Sequence, residues 1–275
     1  MTYSTLMVHL ELGRSNAGLL KITGQLAQRF HAAVIGIAAC QPMPMAYSEG
    51  FVSADLIEQD RAGIARAMEE TEAEFRGALQ SRVALLEWRS TQIYASISDY
   101  LAQEARSADL IITRAPSGDQ FDASRSLSTG DLVMHAGRPV LIVPAAAGTP
   151  AFDRVVVAWK DTREARRAAC DALPLLKAAT EVCVVEIAAE DELTEARMRL
   201  NDVVGWLHRH GVQATSLAEV SSDDNAAALI AIAHERRADV IVAGAYGHSR
   251  LREWALGGMT RDLLHPADRC SLVSH

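Results

Sequence analysis

Cysteine, clustered positive charge, long apolar runs and catalytic signatures are all scarce in this chain, and each shortage removes a class of function. Four cysteines occur in 275 residues, Cys40, Cys170, Cys183 and Cys270. They are scattered, with no C-x-x-C pair and no zinc-ligand spacing. The plain reading is buried free thiols in a reducing compartment. Lys and Arg number 27 against 35 Asp and Glu, a formal net charge of -8, which argues against an extended nucleic-acid surface. No apolar run approaches the roughly 18 residues a membrane span needs. The opening MTYSTLMVHLEL has no basic segment and reaches Glu11 and Arg14 quickly, the pattern expected of a chain without a signal peptide.

Catalytic motifs are missing too. There is no H-E-x-x-H, no G-x-S-x-G elbow and no G-x-x-x-x-G-K-[ST] loop. His208 and His210 lie two apart on a predicted helix and face different directions, so with His234 they make no metal site. No nucleophile is assembled with a base. Neither catalytic nor metal-ligating residues are expected, and the chain reads as a non-enzyme.

What is present is an ordinary globular balance, 49% hydrophobic and 23% charged. Apolar runs alternate with helix-period segments. Thr5–Leu10, Ala33–Ala38, Leu85–Arg89, Ala108–Thr113 and Pro139–Pro144 read as strands. Helices are expected from Asn16 to Phe30, from about Ser53 to about Val83, and from Ile93 to Ala105. Ala145–Pro150 is a linker of small residues, Pro and Gly. The order then restarts: strands at Arg154–Trp159, Val182–Ile187, Val212–Ala218, Val240–Ala243 and Cys270–Ser274, helices at Arg163–Lys177, Leu193–His210 and Asn225–Arg236. Strands alternating with helices predict two tandem doubly wound α/β domains, residues 1–147 and 151–275. Each is a five-stranded, mainly parallel sheet with helices on both faces.

The two halves repeat. Ala108-Asp109-Leu110-Ile111 falls on Ala238-Asp239-Val240-Ile241 at an offset of 130 residues. The same offset carries Ser128–Val133 onto Gly258–Leu263, and Pro139–Val143 onto Arg269–Val273.

The stretch Val240–His265 holds the densest chemistry. A short apolar strand stops at Gly244. Gly247 follows, then nine residues, then Gly257-Gly258 and the helix start Met259-Thr260-Arg261-Asp262. Glycine lets the chain turn at positive φ and lets a ligand lie against bare backbone. A helix N-terminus presents free N–H groups and a positive dipole end to an anion. Thr260 adds a hydroxyl, and His248, Arg250 and Arg252 stand on the loop with Leu251, Trp254 and Leu256. The bland alternative is that these glycines only make turns and the loop's charges are solvated.

At these residues the chain resembles the universal stress proteins, whose nucleotide signature is G-x2-G-x9-G followed by Ser or Thr. Gly244, Gly247 and Gly257 match it, and Gly258 stands where that Ser or Thr belongs. The resemblance covers nearly the whole chain in tandem form. It implies an adenine nucleotide, ATP with Mg2+, held in the second domain by Gly244, Gly247, His248, Arg250, Gly257, Gly258, Met259 and Thr260. The family's Asp after the first strand, which meets the adenine or ribose end, is replaced by Lys160, and Asp161, one place on, is the candidate to substitute for it. Trp159 and Ile187 are the expected walls of the base pocket, with ordinary core as the alternative. Asp161 or Thr162 could equally cap the next helix. In the first half Arg114, Ser117 and Leu127 replace the three glycines, so that half is expected to be degenerate for nucleotide and mainly structural.

The implied role is regulatory or protective in stress survival, in the cytoplasm, with an intramolecular pseudo-dimer of the two domains and homodimerisation as a further option. A non-binding interaction module acting through dimer surfaces, and less favourably a weak ATPase, are the competing readings.

Overall fold

The structure is a computed structural model that describes residues 2–42, 54–116, 127–145, 148, 150–221, 224–245, 263 and 268–275. The chain divides into two compact units, Tyr3–Ala136 and Gly137–His275, the latter taking in the first two residues.

In the Tyr3–Ala136 unit, β1 (Thr5–His9) leads to α1 (Ala17–Phe30), β2 (Ala33–Cys40), α2 (Ala54–Leu79) and β3 (Leu86–Gln92). Then come α3 (Ile97–Glu104), β4 (Leu110–Arg114) and α4 (Thr129–His135). The strands lie in the order β3-β2-β1-β4, all parallel. The chain steps outward from β1 through β2 to β3, then returns to the other side of β1 for β4. Because such crossovers are right-handed, that reversal moves the helices from one face to the other. Accordingly α1 packs on α2, and α3 packs on α4. Leu6, Met7, Val8, Ile111 and Ile112 are wholly buried between these layers, as unbroken apolar runs in parallel strands should be.

In the Gly137–His275 unit, β5 (Val140–Val143) is followed by β6 (Arg154–Trp159), α5 (Arg163–Asp171), α6 (Leu173–Ala178) and β7 (Glu181–Ala188). Then come α7 (Leu193–Arg209), β8 (Ala214–Val220), α8 (Asn225–Glu235), β9 (Val240–Gly244) and β10 (Cys270–Ser274). The strand order is β5-β10-β9-β6-β7-β8, parallel throughout except for β5. β5 runs antiparallel to β10, with Ile142, Leu141 and Val140 opposite Ser271, Leu272 and Val273. Each half of the sequence thus supplies five strands, and the fifth strand of the first half lies beside the last strand of the second.

The sequence boundaries shift in places. The helix expected over Arg163–Lys177 is broken at Ala172, because Pro174 sits in the first turn of α6 and cannot continue α5. The strand expected at Val212–Ala218 runs over Ala214–Val220. Three cysteines are buried, but Cys170 is exposed on α5, which corrects the expectation of four buried thiols. Burial and then the charge of Asp239 push the Cys270 thiol up to about 12.

The repeated Ala-Asp pair has a physical reason. Asp109 Oδ2 accepts from the backbone N–H groups of Ser4 (2.8 Å) and Thr5 (3.0 Å), tying the start of β1 to β4. Asp239 Oδ2 accepts from Asp153 (2.8 Å) and Arg154 (3.1 Å), tying β6 to β9 in the same way. A carboxylate that takes two backbone donors aligns two parallel strands that no hairpin connects.

Candidate functional site

In each unit the strand order reverses at one point, the place where open α/β sheets form a crevice at the carboxyl ends of two neighbouring strands. In the Gly137–His275 unit the two strands are β6 and β9. Ala158 pairs with Ala243, so Trp159 and Gly244 lie side by side at their ends. Of the residues expected to bind, Gly247, His248, Arg250, Gly257, Gly258, Met259 and Thr260 lie outside the described residues. Gly244, Trp159, Asp161 and Ile187 are described, and they gather along this one edge.

Gly244 does something other than expected. The positive-φ glycines among the described residues are Gly13, Gly137 and Gly211, and Gly244 keeps a strand conformation in β9. A Cβ at Gly244 would lie 2.4 Å from the carbonyl carbon of Glu164 and 2.6 Å from the nitrogen of Ala165. The missing side chain lets the first turn of α5 press its backbone against the end of β9. This is close helix–strand packing, one of the uses of glycine in nucleotide-binding crossovers.

That first turn is capped by Thr162, whose Oγ1 accepts from Ala165 N–H at 3.3 Å. Asp161 is exposed and pairs with Arg166 at 2.5 Å. Of the two candidates for the cap, Thr162 fills it. Glu164 is buried and pairs with Arg163. Burial alone would raise its carboxyl, but the Arg163 guanidinium, backbone N–H and the Thr162 hydroxyl together hold it below the ordinary range.

Trp159 is half-buried, and its buried indole N–H has no hydrogen-bond partner among the described residues. It stands in register with Glu186 of β7, and Ile187 is the next residue, also half-buried. Glu186 is 3% exposed, and its carboxylate takes both Nη2 (2.5 Å) and Nε (3.0 Å) of Arg199 from α7. The hydrogen bond donated to Glu186 raises the Arg199 guanidinium above its usual value, and the charges of Glu186, Asp161 and Glu192 add to it. Sequence reasoning passed over this pair. Its signal was Glu186 itself, one carboxylate inside the apolar run Val182–Ile187.

At the equivalent place in the Tyr3–Ala136 unit, the ends of β1 and β4, side chains are bonded to the β1–α1 loop and to each other. Arg114, which the repeat places on Gly244, donates from Nη2 to the Ser15 carbonyl at 2.6 Å. Glu74 of α2 accepts from the Asn16 backbone N–H (2.9 Å) and from its Nδ2 (3.2 Å), holding the β1–α1 loop. Ser128, at the position of the family's hydroxyl, caps α4 through Asp131 N–H and exchanges hydrogen bonds with Ser98. Where the other unit has Ala158 and Ala243, this one has His9 and Thr113, with Nδ1 and Oγ1 3.3 Å apart. Burial lowers the His9 imidazole to about 4.

Among the described residues no group of three His, Cys, Asp or Glu side chains is placed to hold a metal. His208 instead hydrogen-bonds the Ala214 carbonyl at 3.1 Å, and the His210 ring packs on Trp206. No helix among the described residues is long and apolar enough to cross a membrane.

No protein-family model matches the chain, and no curated protein matches it in sequence. Solved structures do match. A universal stress protein from Archaeoglobus fulgidus superposes with a TM-score of 0.73 at 15% identity, over 98% of each chain. A functionally unknown protein from Pseudomonas aeruginosa superposes with a TM-score of 0.62 at 16% identity, over 99% of this chain and 92% of that one. Across its whole length, and through both of its repeated halves, the chain therefore has the fold of a universal stress protein.

Proposed function

We propose that the chain is a regulatory stress-response protein of the cytoplasm that binds ATP, with Mg2+, at the carboxyl edge of β6 and β9. The observation that carries this reading is the contrast between the two crevices. At one, Arg114 and Glu74 are bonded to the β1–α1 loop. The other has glycine at the Arg114 position, packed so that α5 begins directly beside the strand end. Gly247, Gly257, Gly258 and Thr260 complete the phosphate cradle in this reading, with His248, Arg250 and Met259 beside them. Trp159 and Ile187 line the base pocket, and Asp161, one place past Lys160, stands in for the family's Asp. No turnover of the nucleotide is part of the proposal. Binding acts by favouring one conformation.

The test is direct. Purified protein is denatured and assayed for released adenine nucleotide, and ATP affinity is then measured for the wild type and Gly247→Val. Binding by the wild type that Gly247→Val abolishes is expected. Equal and negligible binding by both would leave a partner-binding module as the function. The engagement of Asp161 by Arg166 favours that second reading, since it removes a carboxylate the ligand would otherwise meet. Hydrolysis lost with Gly247→Val would instead indicate a weak ATPase.

We also infer that the two halves form an intramolecular pseudo-dimer through their last strands. The antiparallel pairing of β5 with β10 supports it, because β10 then has partners on both edges. A solution mass near the chain's 29.7 kDa is expected, and twice that mass would indicate a homodimer through another surface.

A further inference from the structure

Helix α5 packs on β9 and β10, and two further contacts stand out, one at its start and one further along. At its start, the backbone of Glu164 and Ala165 touches the end of β9, so close that a Cβ on Gly244 would sit 2.4 Å away. Such a contact leaves no slack. A shift of the β9 end moves the first turn of α5 with it, since packed backbone has no rotamer to yield. Further along the helix, Arg167 donates from Nη2 to the Gly137 carbonyl at 3.3 Å. Its Nε is fixed by Asp171 one turn on, at 2.9 and 3.1 Å. Gly137 sits at φ +58°, a left-handed conformation, just after α4 and just before β5. It is also the residue at which the chain passes from one compact unit into the other.

We propose that α5 is a conformational relay, and that filling the crevice beside Gly244 tightens the Arg167–Gly137 hydrogen bond and so orders the connection that enters β5. The proposal rests on the nucleotide reading of that crevice. Ligand at the ends of β6 and β9 bears on the Lys160–Thr162 loop and on Gly244, and these are the two elements that set the position of the first turn of α5. The helix is short and stiff, so the displacement reaches Arg167 one turn later. Arg167 is half exposed, which makes its bond to Gly137 a weak one that a small displacement can make or break. Coupling between sites is reciprocal, so loosening the Gly137 end must weaken binding at the Gly244 end.

The experiment is amide hydrogen exchange on the full chain with and without saturating ATP, run on the wild type, Arg167→Ala and Arg76→Ala. Arg76 makes a comparable surface pair with Glu72 in the other unit and serves as control. In the wild type and the control, ATP is expected to slow exchange at Gly137, Arg138 and Val140. Arg167→Ala should abolish that slowing and weaken ATP binding about threefold, the size of one exposed charged contact. Unchanged exchange at these amides in a wild type that binds ATP would overturn the relay alone. Loss of affinity in both variants would overturn it too. A wild type that binds no ATP would remove the nucleotide reading and the relay with it.

Discussion

At the residue scale, two positions carry more than their size. Gly244 faces backbone, and backbone cannot rotate away as a side chain can. Gly244→Ala is therefore expected to destabilise by about 2 kcal/mol or more, the range of overpacking in a close-packed interior. Urea unfolding compared with Gly77→Ala, a glycine of α2 with open space around it and no positive φ, would check this. His9 offers a pH test. Its imidazole is buried and lowered to about 4, so between about pH 6.5 and pH 4 the unfolded chain binds the proton and the folded chain does not. The sign follows from linkage. Stability from this group is present above 6.5, falls as pH drops, and levels off below 4, after a loss of about 3 kcal/mol. The difference in unfolding free energy between wild type and His9→Gln should vary across that window and stay flat above pH 7. A constant difference from pH 4 to 8 would show that His9 titrates normally.

At the scale of elements, helix starts and strand alignment decide the geometry. Thr162 caps the turn that abuts Gly244, so Thr162→Ala should cost about 1 kcal/mol of stability and also weaken any ligand at that crevice. A cap with only a structural role would change unfolding and leave binding untouched. The aspartates that tie β1 to β4 and β6 to β9 make a paired prediction. Asp109→Ala and Asp239→Ala each strand two backbone donors and should each destabilise by about 1–3 kcal/mol. They act in different units, so the double variant should show the sum, read from denaturant unfolding. The strands and most helices were legible in the sequence because their apolar periods are strong. The break at Ala172 was legible in principle from Pro174, yet the helix period of the apolar residues on both sides masked it.

At the scale of the whole molecule, the duplication has produced two unlike crevices. The Arg114–Ser15 and Glu74–Asn16 bonds give one of them its own internal cation and anion. If the other binds ATP, wild-type melting temperature should rise with ATP concentration, by an amount equivalent to about 2.7 kcal/mol at one hundred times Kd. Gly247→Val should melt at a temperature independent of ATP, as measured by scanning fluorimetry.

The sequence by itself determined the alternation of strands and helices, the offset between the halves and the candidate glycines. All of these are local patterns or comparisons along one line of residues. Only the tertiary structure decided which face Gly244 turns to α5, that Thr162 rather than Asp161 caps that helix, and that Glu186 reaches Arg199. It also decided that β5 pairs with β10. The reason is distance in space. Each of these contacts joins residues that no periodicity relates, and only packing brings them within reach.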